Sequence, residues 1–196
     1  MNMDVLDRKF YERNTRYVAR ALLGKKLVRK IGRGVTLAGM IVETEAYCGQ
    51  EDSACHAHRG QTARNAVMFG APGHAYVYFT YGMHYMLNLV TEKEGNPCAV
   101  LIRAIMPLDG IKEMEARRKL KGARLADGPA KLCQALAIDK SLNGWDVTRG
   151  AKLWLEDFKK ISAKSILASP RIGINYAKEE HRNALWRYCV LSEKIK

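Results

Sequence analysis

Two glutamates separated by one residue, Glu43 and Glu45 in Val42-Glu43-Thr44-Glu45-Ala46-Tyr47, stand where a β-prone run ends. Strand alternation puts both carboxylates on one face, where such a pair can take part in catalysis or can simply form a charged, solvent-facing edge. A loop bearing glycines and histidines follows them, which adds weight to catalysis. Arg103 is a single charge in the otherwise apolar run Ala99-Val100-Leu101-Ile102-Arg103-Ala104-Ile105. A buried guanidinium needs a carboxylate partner, so Arg103 is either a plain ion-pair residue or a clamp that holds Glu45 and a water.

Aromatic groups cluster in the same part of the chain: Tyr47, Tyr76, Tyr78, Tyr81 and Tyr85, with His56, His58 and His84. Phenols are ordinary near-surface core residues. In a basic protein they also suit stacking on nucleic-acid bases, worth roughly 1 to 3 kcal/mol per base. Arg59, Arg64 and Asn65 add donors for a phosphate backbone beside them. The chain has no P-loop, no H-E-x-x-H and no G-x-S-x-G, which removes most of the case for phosphoryl transfer, zinc proteolysis and serine hydrolysis. Cys48, Cys55, His56 and His58 crowd together, but their spacing matches no common zinc pattern, and we expect no metal.

These residues must be positioned by strands. Lys26 to Ile31 and Val35 to Thr44 read as a hairpin joined by Gly32-Arg33-Gly34. His74 to Thr80 alternates, with Ala75, Val77 and Phe79 on a core face and Tyr76, Tyr78 and Thr80 on the other. Tyr81-Gly82-Met83-His84 turns the chain into Tyr85 to Val90, and Glu94-Gly95-Asn96-Pro97 turns it into Ala99 to Ile105. Short strands follow at Leu153 to Leu155, Ser165 to Ile172 and Trp186 to Leu191. Thr15 is placed to cap a first helix that Gly24 stops. Ile111 to Leu120 forms a basic helix, and another opens at Gly128-Pro129 with Lys131 in its first turn, a candidate phosphate contact. The expected fold is mixed α/β (α+β): one domain over residues 1–196, with a curved, mainly antiparallel sheet surrounded by helices and a protruding β-hairpin.

Thirty-three Lys and Arg against 20 Asp and Glu leave a net charge of +13 on 196 residues. A surplus of this size points to a polyanion partner, with a generally basic solvated surface as the plain alternative. No run of about eighteen apolar residues suggests a membrane span. The start, Met1-Asn2-Met3-Asp4-Val5, lacks the order of a secretory signal, and the five cysteines contain no C-x-x-C pair. We expect a soluble, monomeric protein with reduced thiols.

Six stretches, taken together, resemble the alkyladenine (3-methyladenine, methylpurine) DNA glycosylase family. They are Val42 to Tyr47; Gln61-Thr62-Ala63-Arg64-Asn65 with Met68-Phe69; Pro72-Gly73-His74-Ala75-Tyr76-Val77-Tyr78; Tyr81-Gly82-Met83 with Asn88; Leu101-Ile102-Arg103-Ala104; and Gly128-Pro129-Ala130-Lys131-Leu132. The resemblance runs from Phe10-Tyr11 to about Val190.

It implies a monofunctional enzyme of base excision repair that flips alkylated or deaminated purines out of duplex DNA and hydrolyses their N-glycosidic bond, without a cofactor. Glu45 matches the family's catalytic carboxylate and Arg103 the arginine that helps position the water. Tyr47, Tyr78 and a histidine, His56 or else His58, would sandwich the base. A positively charged alkylpurine would gain a cation–π term of roughly 0.5 to 2 kcal/mol there. Asn88 matches the residue that crowds the amino group of guanine. Tyr81, with Met83 beside it, matches the intercalating wedge of the hairpin. Arg64, Asn65 and Lys131 would hold the DNA backbone. Absence of a long basic N-terminal tail leads us to expect a bacterial-type enzyme acting in the cytoplasm, at the nucleoid. The reading from a different class is a module that binds damaged DNA without catalysis.

Overall fold

The computed structural model describes residues 5–32, 34–80, 82–122 and 124–191. Two short helices, α1 (Arg8–Tyr11) and α2 (Thr15–Ala21), lead into strands β1 (Lys26–Ile31) and β2 (Val35–Cys48). A long loop then reaches β3 (Ala75–Thr80), β4 (His84–Thr91) and β5 (Cys98–Asp109). Helices α3 (Ile111–Arg118) and α4 (Pro129–Ala135) precede β6 (Leu153–Glu156), β7 (Ile166–Ser169), α5 (Glu179–Asn183) and β8 (Arg187–Val190). The strands form one sheet in the order β3-β4-β5-β2-β1-β6, with β8 bonded to both β2 and β7. Every pairing among these strands is antiparallel, and the sheet does not close into a barrel.

Strand β2 organises the sheet. On one side it pairs with β5 along most of its length. On the other side it pairs with β1 through Met40 and then with β8 from Glu43 to Glu45. Its register against β5 shifts between Ile41 and Glu43 and again between Glu43 and Thr44. Bulges of this kind bend a strand and re-aim its side chains, so the exchange of partners and the bend coincide at the two glutamates. The strand continues to Cys48. The glutamates therefore lie inside a central strand, and neither the expected strand end nor a solvent-facing edge describes them.

The main core lies on one face of the sheet, where Val18 and Ala19 of α2, Met114 of α3 and Leu132 of α4 meet Ile41, Val77, Leu89 and Ile102. The opposite face of β3, β4, β5 and the end of β2 carries a smaller cluster built from Cys55, Met68, Tyr76, Val90 and Ala99, with Tyr47 and Tyr78 packed against it. Alternation along β3 thus sorts Ala75 and Val77 from Tyr76 and Tyr78 as the sequence predicts. Phe79 departs from that reading: it is exposed beyond the core, near the end of the hairpin, with its ring 5.0 Å from that of Tyr85. Met83 at the same tip is 68% exposed. Tyr81, expected at the hairpin turn, and Arg33, in the β1–β2 loop, lie outside the described residues.

Some local expectations are corrected. Asn14 caps α2, its Oδ1 accepting from the amides of Arg16 and Tyr17. The hydroxyl of Thr15 instead contacts Thr91 and Glu92. Gly24 has φ +86, and a Cβ there would lie 2.1 Å from the carbonyl oxygen of Lys159, so both conformation and space require glycine. Strand β7 stops at Ser169, short of the expected Ile172, because Pro170 has no N–H for a ladder. Helix α3 ends at Arg118, with Lys119 in the left-handed region. Among the described residues, no helix is long and apolar enough to cross a membrane, and no group of three or more His, Cys, Asp or Glu could hold a metal ion.

Candidate active site

A cleft of about 860 Å³ opens on the small-cluster face of the sheet. Its walls come from the end of β2, the 53–65 loop, β3, β4, β5 and the segment after β7, with Tyr47, His56, Tyr78, Asn88, Arg103 and Ile172 among the lining residues. The charged residues lining it are Arg59, Arg64, Arg103 and Lys178, with no carboxylate among the described lining residues.

Glu45 lies directly behind this wall and is fully buried. Its Oε1 accepts from the Ile172 amide at 2.8 Å and lies 3.3 Å from Arg103 Nη1. Its Oε2 accepts from the Tyr47 hydroxyl at 2.9 Å. An ionised carboxylate has about four lone-pair sites, so these three donors, the ones found among the described residues, leave one lone pair of Oε2 uncommitted. Burial pushes the Glu45 carboxyl above its ordinary pKa, while Arg103, the Ile172 amide, Tyr47 and Arg171 act in the opposite direction.

Arg103 serves both glutamates. Its Nε donates to Glu43 Oε1 at 3.0 Å, the same oxygen that accepts from Arg187 Nη1 at 3.0 Å. Glu43 is therefore the buttress of the pair: held by two arginines, it orients the guanidinium that faces Glu45.

The aromatic wall is built on β3 and the loop after β2. The ring of His56 meets that of Tyr78 edge-on at 4.5 Å, and His56 Nδ1 lies 2.9 Å from the Tyr76 hydroxyl. His58, which also lines the cleft, commits its Nδ1 to the Gln50 carbonyl, to which it donates at 2.6 Å. Desolvation and the nearby Arg64 pull the His56 imidazole down to about 4, although the residue is exposed at the cleft. Arg64 lies with its guanidinium carbon 5.1 Å from the Tyr78 ring centre. Asn88, on β4, is buried and donates through Nδ2 to the Tyr76 carbonyl at 3.1 Å.

Residues 9–194 match the family described as Methylpurine-DNA glycosylase (MPG). The chain belongs to that family. It is accordingly a DNA glycosylase, a hydrolase of N-glycosyl bonds in DNA repair. A protein of Methanocella arvoryzae named "Putative 3-methyladenine DNA glycosylase" is 53% identical over 95% of this chain and 92% of its own length. Proteins carrying the same name in Carboxydothermus hydrogenoformans and Clostridium perfringens are 52% and 46% identical. The first of these alignments spans 89% of this chain and 91% of the relative, the second 97% of each.

In this glycosylase the expected backbone contacts fall in different settings. Arg64 is exposed at the cleft. Lys131, in the first turn of α4, is paired with Asp127 at 2.7 Å. Asn65 is 1% exposed; its Nδ2 donates to the carbonyls of His56 and Gly60, and its Oδ1 accepts from the Thr62 amide. Both amide protons are thus engaged inside the loop, which removes Asn65 from the donors free to reach a phosphate.

The sequence reading did not single out Arg171, Asp52 or the Ile172 amide. Arg171 and Asp52 form an ion pair in which both side chains are 0% exposed, and Ile172 supplies the backbone donor to Glu45. The one signal available was an arginine next to Pro170, with no periodic pattern to mark it as buried.

Proposed function

We propose that this glycosylase is monofunctional and acts on duplex DNA containing alkylated or deaminated purines, of the 3-methyladenine, 7-methylguanine, hypoxanthine and ethenoadenine class. The observation that carries the reading is Glu45: a buried carboxylate with one free acceptor position, set behind an aromatic cleft whose lining charges are all positive. The damaged nucleotide is flipped into the cleft, at a cost of a few kcal/mol that is lower for a damaged pair. Its base stacks against Tyr47, Tyr78 and His56, and the edge-on packing of His56 on Tyr78 supports His56 over His58 for this role. Asn88 crowds the position of a guanine amino group, and Tyr81 and Met83, matched to the family's wedge residues, fill the gap in the duplex. Arg64 and Lys131 steer the phosphates.

Glu45, oriented by Arg103, takes a proton from water as the water oxygen bonds to C1′. The C1′–N bond breaks, its electron pair leaves with the base, and the carboxylate offsets the positive charge that develops on the sugar. A base methylated at a ring nitrogen, such as 3-methyladenine or 7-methylguanine, already carries the charge that makes it leave. Near neutral pH His56 is unprotonated, so it stacks on the base and is not the acid for neutral bases. The enzyme works as a monomer without a cofactor, in the cytoplasm at the nucleoid.

A hypoxanthine-containing duplex treated with the protein and then with alkali tests the reading. Strand scission at the lesion is the expected result. Tight binding without scission would instead support a damage-binding module. A covalent complex trapped by borohydride would overturn the monofunctional mechanism.

A further inference from the structure

Arg171 is the most enclosed cation described in this chain, and the sequence motifs leave it without a role. Its Nη1 and Nη2 donate to the two oxygens of Asp52 at 2.5 and 2.8 Å. Further bonds run from Nη1 to the Ala46 carbonyl at 2.9 Å and from Nη2 to the His181 carbonyl at 3.2 Å. Its guanidinium carbon lies 4.7 Å from the Tyr47 ring centre and 4.9 Å from that of Trp186. The Nε, buried, has no hydrogen-bond partner among the described residues.

As a stabilising device this arrangement is poor. A buried ion pair often does no better than apolar groups of the same volume, and an unsatisfied buried donor is a further penalty. Its geometry, by contrast, converges on the carboxylate. The ring stacked on Arg171 is the one whose hydroxyl donates to Glu45 Oε2, and the residue after Arg171 supplies the amide that donates to Oε1.

We propose that Arg171, anchored by Asp52, is a positioning residue for hydrolysis: it fixes the Tyr47 ring and the Ile172 amide, which between them orient both oxygens of Glu45. The proposal rests on the role given to Glu45 above. A lysine at position 171 keeps the charge but cannot lie flat between two rings or span both carboxylate oxygens. Tyr47 then loses its fixed plane, and Glu45 loses a hydrogen bond that favours its ionised form.

The test is single-turnover release of 7-methylguanine, which leaves without a proton donor, by Arg171→Lys across a pH series, alongside binding to a duplex that carries a tetrahydrofuran abasic analogue. The expected result is a rate lower by about 10- to 100-fold with affinity within about threefold of wild type, the scale of loss for a displaced catalytic group. The acid limb of the rate profile should also move to higher pH. A rate and acid limb like those of the wild type would overturn the proposal. So would a rate reduced only in proportion to the folded fraction, with the acid limb unmoved, since that is a purely structural effect.

Tyr47→Phe keeps the ring on Arg171 and removes only the hydroxyl, so it gives a second reading if Arg171→Lys does not fold. Its acid limb must rise too, and an unmoved limb overturns the proposal. Failure of the wild type to release any base would count against the catalytic reading itself, a result distinct from an active wild type with an unaffected variant.

Discussion

The hydroxyl of Tyr47 donates to Glu45 Oε2 at 2.9 Å, so a ring that walls the cleft is also a partner of the carboxylate behind it. Under the proposed function, base recognition and activation of water would share this side chain. A nucleotide that shifted Tyr47 would then also change the hydrogen bonding of Glu45 and tie the chemistry to occupancy of the cleft.

Replacing Glu45 by glutamine is expected to lower base release by about 100- to 10,000-fold, the usual contribution of a general base, while binding to lesion duplex persists. Stability should be equal or higher. Burial raises the Glu45 pKa, so the folded state prefers the protonated carboxyl; this contribution is full below the ordinary carboxylate value and is lost as pH rises through the folded one. Thermal melts at about pH 4 and about pH 7.5 should show the variant gaining on the wild type at the higher pH. Base release at the wild-type rate would remove Glu45 from the mechanism.

The pH–rate profile should carry the same signature. With 7-methylguanine as the leaving base no proton donor is needed, so the acid limb reports the general base. Because burial raises the Glu45 pKa from its ordinary value of 4.5, activity is expected to rise with pH through a midpoint above that value. A midpoint at or below it would mean that another group controls the limb.

His56 is expected to remain neutral well into the acid range. Its pKa is lowered from 6.5 to about 4 by burial and by Arg64, so its contribution to stability is present above the ordinary value and disappears as pH falls through about 4. An NMR titration of the ring nitrogens checks this. A midpoint near the ordinary histidine value would place the ring in open water.

Asn65→Ala separates loop architecture from DNA contact. Its amide holds the His56 and Gly60 carbonyls, so the variant should be less stable by about 1 to 3 kcal/mol in urea unfolding, the range for stranded buried partners. The salt dependence of DNA binding should stay as in the wild type. Normal stability with a shallower salt slope would return Asn65 to the phosphate backbone.

Arg64→Ala should do the reverse. Arg64 is exposed at the cleft, and removing one phosphate contact should reduce the slope of log affinity against log salt by about 1. An unchanged slope would confine Arg64 to its stacking contact with Tyr78.

Residue order alone carries the elements and part of the chemistry of this glycosylase. Alternation along residues 75–78 sorts aromatic from core side chains because a strand has a period of two. The lone charge in 99–105 marks Arg103 as paired because an unpaired guanidinium cannot stay in an apolar strand. Folding settled the rest. Arg103 meets Glu43 more closely than Glu45, and β2 continues through both glutamates because its neighbour changes from β1 to β8 beside them. Asp52 and Arg171 are 119 residues apart in the chain, and Ile172 is 127 from Glu45. Local periodicity constrains near neighbours along the chain and holds no record of such distant encounters; those depend on how the segment after Pro170 packs against the end of β2, where burial forces each polar group to find a partner.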